Sequence, residues 1–172
     1  NNYSEIELAR IIGEYGEVRM ARRMATAIVN RRHKEAITTT NQLADVVVTA
    51  IPGGGRWQDI HPATRTFQGI RIEANDELTA IAKAIPAAID ALKVNGVVAA
   101  ISFHSLEDRL VKTLFRKMAG KCECDARMPQ CVCGARKVVE ILTAKPVTAE
   151  AQEIAENPRS RSAKLRAAKK IA

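Results

Sequence analysis

Aromatic residues make up only 3% of this chain, one Trp, two Tyr and three Phe. So few rings exclude a surface that reads single-stranded nucleic acid mainly by stacking successive bases. Long apolar runs are missing as well: nothing approaches the roughly 20 residues that span a bilayer. The start, Asn1-Asn2-Tyr3-Ser4, has neither the basic nor the apolar segment of a secretion signal. These absences predict a cytoplasmic protein with no membrane partner. There is no initiator methionine, and the expectation drawn from that is a chain cut from something larger. No acidic residue follows Glu156, and 27 Lys and Arg against 19 Asp and Glu leave a formal net charge of +8. A basic balance of this size points to phosphate-bearing partners.

Three clusters of positive charge stand out: Arg19, Arg22 and Arg23; Arg31 to Lys34; and a tail holding Arg159, Arg161, Lys164, Arg166, Lys169 and Lys170. Nucleic acid is the functional reading of all three. The plain alternative for Arg31 to Lys34 is a helix C-terminus stabilised by cations.

Hydrophobic spacing predicts helices through the first fifty residues. Ser4 and Glu7 make a capping box ahead of Leu8, Ile11, Ile12 and Tyr15; Ala21, Met24, Ala25 and Ile28 form a second face. Leu43, Val46, Val47 and Ala50 form a third, opened by Thr39 and Gln42. Residues 1–60 are therefore expected to be a helical subdomain, closed by a loop at Pro52 to Arg56. The glycines at 53–55 follow a helix rather than a strand and lack a helix-opening Lys-Ser or Lys-Thr, which argues against a phosphate cradle.

Pro62 then suits a helix start, and an apolar stripe runs from Phe67 to Leu92, with Pro86 expected to kink or divide it. Asn95-Gly96 should turn the chain into a strand at Val97 to Ile101. That run is apolar throughout, as in a parallel strand buried on both faces. A helix with Leu110, Val111, Leu114 and Met118 on its buried side follows, then a second strand at Val138 to Leu142 and a short helix from about Ala149. Two strands cannot stand alone. Either the chain pairs with a copy of itself as a homodimer, or it is the second half of a larger α/β domain.

Between the first strand and its helix lies Ser102-Phe103-His104-Ser105-Leu106-Glu107-Asp108-Arg109, dense in groups able to bind or move protons. The end of a strand in an open α/β sheet is where ligands bind. Ser105 is the expected cap, with Asp108 in the first turn. Four cysteines, Cys122, Cys124, Cys131 and Cys133, fall within twelve residues. In a reducing compartment they suggest a structural zinc site, although one residue separates each pair where two to four are usual; four reduced thiols are the alternative.

Three stretches, His61 to Gln68 (HPATRTFQ), Ser102 to Arg109 (SFHSLEDR) and Asn157 to Arg166 (NPRSRSAKLR), together resemble the bacterial methyltransferases that modify N4 of a decoding-site cytosine in 16S ribosomal RNA. The likeness extends through Tyr15-Gly16-Glu17, Thr38-Thr39-Thr40 and Lys145 to Thr148, so it covers nearly the whole chain. It implies an α/β fold, part of a class I, doubly wound (Rossmann-like) methyltransferase sheet with a helical insertion. Residues 1–60 would be the insertion, and 61–172 the C-terminal part of the α/β domain with its Cys-rich loop and basic tail.

The resemblance also implies S-adenosylmethionine as donor and 16S ribosomal RNA or the small subunit as partner. The family's glycine-rich donor turn has no counterpart here, so the expectation is an N-terminal half outside this chain and a chain inactive alone. No Pro-Pro pair of the kind many amine methyltransferases use is present. That leaves the proton acceptor in that other half or in the loop, with His104 and Ser105 as candidates. Phe103 and His104 would hold the base; Arg65 and Arg109 would contact phosphate or organise the pocket with Glu107 or Asp108. Arg159, Arg161 and Lys164 join them as candidate RNA contacts. A simple Arg65–Asp108 pair is the competing expectation. A non-catalytic RNA-binding module is the alternative function.

Overall fold

The computed structural model describes residues 1–52, 61–122, 124 and 135–172. They form two compact units, Asn1–Glu77 and Leu78–Ala172. The first unit extends past residue 60, so it holds one helix more than the segment marked out from sequence.

That unit is helical. α1 (Glu5–Arg10) opens on the expected capping box, with Glu7 N donating to Ser4 Oγ at 3.2 Å and Ser4 N to Glu7 Oε2 at 2.8 Å. It passes into a π-helical turn at Ile11–Tyr15. α2 (Ala21–Lys34) and α3 (Thr40–Ala50) follow, the latter capped by Thr39 with Gln42 as anticipated. α4 (Ala63–Asn75) begins directly after Pro62. The apolar faces read from sequence meet in one core around Ile12, Met24, Ala25, Ile28 and Val47.

Two of the sequence stretches quoted above pack on each other here. Gly16, which ends the π turn, lies so close to α4 that a Cβ on it would sit 2.6 Å from the Arg65 carbonyl oxygen and 2.6 Å from that of Ile12. A Cβ on Gly69 would sit 2.8 Å from the Ile11 carbonyl oxygen. Around this backbone contact, Gln68 Nε2 donates to the Tyr15 carbonyl at 3.2 Å and Arg65 Nη1 to that of Glu17 at 3.4 Å.

α5 (Glu77–Ala91) contains Pro86 without being divided by it. The stripe breaks at Asp76 instead, in the left-handed region at φ 49, a conformation Asp tolerates better than most side chains. In the second unit, β1 (Val97–Ser102) is followed by α6 (Ser105–Met118), β2 (Val139–Ile141), β3 (Val147–Thr148), α7 (Ala151–Glu156), a 3-10 turn at Pro158–Ser162 and β4 (Lys164–Lys170).

From Lys164 to Lys170 the basic tail is thus a strand, an element the sequence pattern did not assign there. β4 lies between β1 and β2, antiparallel to both, with Val97 opposite Lys169 and Ile141 opposite Ala168; β3 also pairs with it. It supplies the partner that two strands lacked. The chain is α/β with a small antiparallel sheet, and the parallel pairing expected of β1 does not occur among the described residues. Nor is β1 buried on both faces. Val98 and Ala100 pack toward Ile85, Ile89, Val111 and Phe115, while Val97 and Ile101 are 49% and 60% exposed. An all-apolar run carries no period, so it could not reveal which side faces out.

Candidate functional site at the end of β1

The site is built from the turn that carries β1 into α6. Ser102 is buried, and its hydroxyl donates to the Lys164 carbonyl at 3.3 Å, tying the strand end to β4. The helix is capped by His104, not by Ser105 as expected, and the box partner is Glu107, not Asp108. Glu107 N donates to His104 Nδ1 at 3.3 Å. Glu107 Oε2 accepts from Phe103 N at 2.8 Å and from His104 N at 3.3 Å.

This arrangement assigns a tautomer. Because Nδ1 accepts a backbone amide proton, the proton of the neutral ring sits on Nε2, 3.4 Å from Glu107 Oε1. His104 therefore shapes the loop, and the Nδ1 lone pair is spent within it. Phe103, by contrast, is pushed outward and is 56% exposed.

Asp108 takes Arg166 as its partner, in place of the Arg65 pairing offered by the sequence. Arg166 Nε and Nη2 donate to its two carboxylate oxygens at 2.6 and 3.2 Å. Lys164 Nζ lies 3.9 Å from Oδ2. The Arg166 hydrogen bonds hold the Asp108 carboxyl below the ordinary carboxylate range, against the opposing pull of burial. Asp108, a candidate for substrate contact, is thereby paired within the fold, and Lys164, another, lies beside it.

Among the other candidates, Arg109 is exposed on α6, and Arg159 and Arg161 are exposed on the 3-10 turn before β4. The Asn157 side chain caps that turn by accepting from Arg159 N at 3.3 Å. Arg65 belongs to the first unit. Ser105 is the first residue of α6. Cys122 and Cys124 form no disulfide among the described residues, and Cys124 N donates to Cys122 Sγ at 3.3 Å; Cys131 and Cys133 lie outside the described residues, so the four-thiolate reading gains no support here. Sequence reasoning missed Arg166 as the anchor of the loop. It also missed Glu107 as the acceptor of two loop amides, although the spacing from His104 to Glu107 was available as a signal.

The profile of the MraW methylase family matches residues 1–171. The chain belongs to the MraW methylase family. Among curated relatives, the "Ribosomal RNA small subunit methyltransferase H" of Geotalea uraniireducens is 53% identical over 171 residues, which is 99% of this chain and 55% of that protein. Proteins of the same description from Heliobacterium mobile and Geobacter sulfurreducens are 51% and 53% identical over the same spans. The MraW chain described here thus spans about half the length of the curated relatives it matches. The family resemblance carried by its three sequence stretches is borne out. Among the described residues, no helix of this MraW family member is long and apolar enough to cross a membrane.

Replacing His104 by alanine should cost about 1 kcal/mol of stability, as loss of an N-cap does, and asparagine there should restore most of it. Urea denaturation of the two variants checks this. Equal stability of H104A and wild type would remove the capping role.

Proposed function

We propose that this chain is the substrate-facing portion of an S-adenosylmethionine-dependent methyltransferase that modifies N4 of a cytosine in 16S ribosomal RNA, within the free RNA or the small subunit. The observation that carries the reading is the Phe103–His104 loop: an exposed ring held at a strand end by Glu107 and by the Asp108–Arg166 pair. It is supported by the methyltransferase names of relatives that share half their length with this chain.

The exocyclic amine of cytosine shares its lone pair with the ring, so transfer needs the base held still and an acceptor near the amine hydrogens. On this reading Phe103 packs against the base, and His104 is a positioning residue that fixes Phe103. Ser105, the first residue of α6 beside that loop, is the hydroxyl assigned to the amine. Arg109, Arg159 and Arg161 are exposed and assigned to RNA phosphate.

The family implies S-adenosylmethionine, but the β1–α6 turn has no glycine through which backbone could approach such a ligand. The residues of this turn do not fit the donor, and no step through it is derived from them. We place the donor site in the further length that the relatives possess. The exposed Val97 and Ile101 on β1 are consistent with a face that additional structure covers. Labelled methyl transfer to small-subunit ribosomal RNA tests the reading, using this chain and the full-length Geotalea uraniireducens relative in parallel. Transfer by the relative alone is expected. Transfer by this chain would overturn the placement of the donor site, and transfer by neither would overturn the function.

The three basic clusters also separate physically. Arg31 to Lys34 sit at the C-terminus of α2, where cations are favourable. Lys164 and Arg166 serve Asp108, and Lys169 pairs with Glu140 at 3.3 Å. Arg19, Arg22 and Arg23 surround the start of α2, which has no side-chain cap and no acid in its first turn. Their guanidinium groups make no hydrogen bond or ion pair among the described residues. Cations beside a positive helix end cost stability, so a functional use explains them better than a structural one. Gln at all three should weaken binding to small-subunit ribosomal RNA about tenfold or more and make its log–log salt slope shallower by about two. Filter binding across a salt series is the measurement, and thermal stability should hold or rise.

A further inference from the structure

Beside α6, on the sheet side, the second unit contains a cleft of about 490 Å³, and its Lys112, Arg116, Lys121 and Lys137 serve none of the roles above. We propose that it is a binding site for a phosphate-bearing ligand of nucleotide size, with the phosphate held by Lys112, Arg116, Lys121 and Lys137 and the ring lying on carbon. The volume falls in the range of small-molecule sites.

The four cations line one cleft from different parts of the chain: two from α6, one just past its end, and Lys137 from the segment leading into β2. None of them makes a hydrogen bond or ion pair among the described residues. Among the described residues the acid lining the cleft is Glu140, already paired with Lys169, while Arg166 is paired with Asp108. Among the described residues this leaves an excess of positive charge, and such an excess on a concave, low-dielectric wall concentrates anions.

Proximity to the negative end of α6 accounts for Arg116 and Lys121, and the charge of Asp108 one turn earlier bears on Lys112, but neither accounts for Lys137. That helix end contributes about half a negative charge, which four full cations outweigh. Between the cations the floor is apolar: Ala119, Val139, Ile141 and Ala144. A bare inorganic anion would leave this carbon unused; a nucleotide would cover it.

The cleft's lining carries the proposal by itself, and only an RNA source for the nucleotide rests on the function proposed above. The test uses this chain with Arg116→Gln, Lys121→Gln and Lys137→Gln combined, all at exposed positions, and a charge-keeping variant, R116K with K121R and K137R. Calorimetric titration with AMP and with inorganic phosphate reads the site. AMP should bind more tightly than phosphate, lose at least about tenfold in affinity in the Gln variant, and keep most of it in the charge-keeping variant. Thermal midpoints of both variants should match wild type.

Competition with a ten-nucleotide single-stranded RNA then separates the sources. Displacement of the RNA by AMP, with the Gln variant weakened for both, identifies an RNA nucleotide; AMP binding without displacement identifies a free one. AMP binding no tighter than phosphate, or unchanged by the Gln variant, would overturn the proposal. It can fail in this way while methyl transfer by the full-length relative is intact, so the two readings are tested separately.

Discussion

Asp108→Ala is expected to lower the stability of the second unit by about 3–5 kcal/mol, the cost of removing one partner from a buried ion pair. The Arg166 side chain is 7% exposed and that of Asp108 13%, with both guanidinium contacts engaged. A guanidinium cannot shed its proton, so deleting the carboxylate strands a full charge against the sheet. Arg166→Met should cost less, because the stranded Asp108 can take up a proton. Combining Asp108→Leu with Arg166→Met should recover much of the loss, since well-packed apolar replacements of a buried pair are often neutral. Urea denaturation of the three variants decides. If D108A proved no worse than R166M, the pair would not be the anchor of the α6 start.

The same pair sets an acid limit. Asp108 is held below its ordinary pKa, so its contribution is complete above the unfolded value near 3.9 and is lost as pH falls through the lower folded value. The acid arm of the stability profile should therefore flatten in Asp108→Asn.

How much of this was legible beforehand differs from element to element, for physical reasons. α1 and α3 could be read because Ser4–Glu7 and Thr39–Gln42 satisfy helix-end amides locally, with no need of a distant partner. β4 could not. Its buried positions include Arg166 and Ala168, and a strand whose inward pattern contains an arginine is decided by Asp108 fifty-eight residues away. β1 was recognised as a strand, but its uniform apolarity hid its one-sided burial. The site was half visible: the loop stood out by its chemistry, while the cap was assigned to Ser105 because histidine is not a usual cap. HPATRTFQ and Tyr15-Gly16-Glu17 were each visible as sequence. That one is the other's packing partner emerges only from the backbone approach at Gly16 and Gly69.

That approach sets the second large effect. Gly16→Ala is expected to destabilise the first unit by about 3 kcal/mol or more, although Gly16 has φ −83 and any residue could adopt its backbone conformation. The obstacle is space. The added carbon would lie 2.6 Å from two carbonyl oxygens, and both belong to helical backbone that cannot yield without moving α4 or the π turn. Gly69→Ala, at 2.8 Å from the Ile11 oxygen and 2.9 Å from Gly16 N, should cost nearly as much.

Gly13 supplies the control. A Cβ there meets only Ala21 Cβ at 3.4 Å, an ordinary contact, so Gly13→Ala should be neutral or stabilising by up to about 1 kcal/mol through the entropy of the unfolded chain. Thermal unfolding of the three variants gives the order. Should Gly16→Ala melt with Gly13→Ala, α4 and the turn would not be in backbone contact. The Gln68–Tyr15 and Arg65–Glu17 hydrogen bonds, which exist only at that spacing, would then have to be abandoned with it, freeing Arg65 for a role in binding RNA.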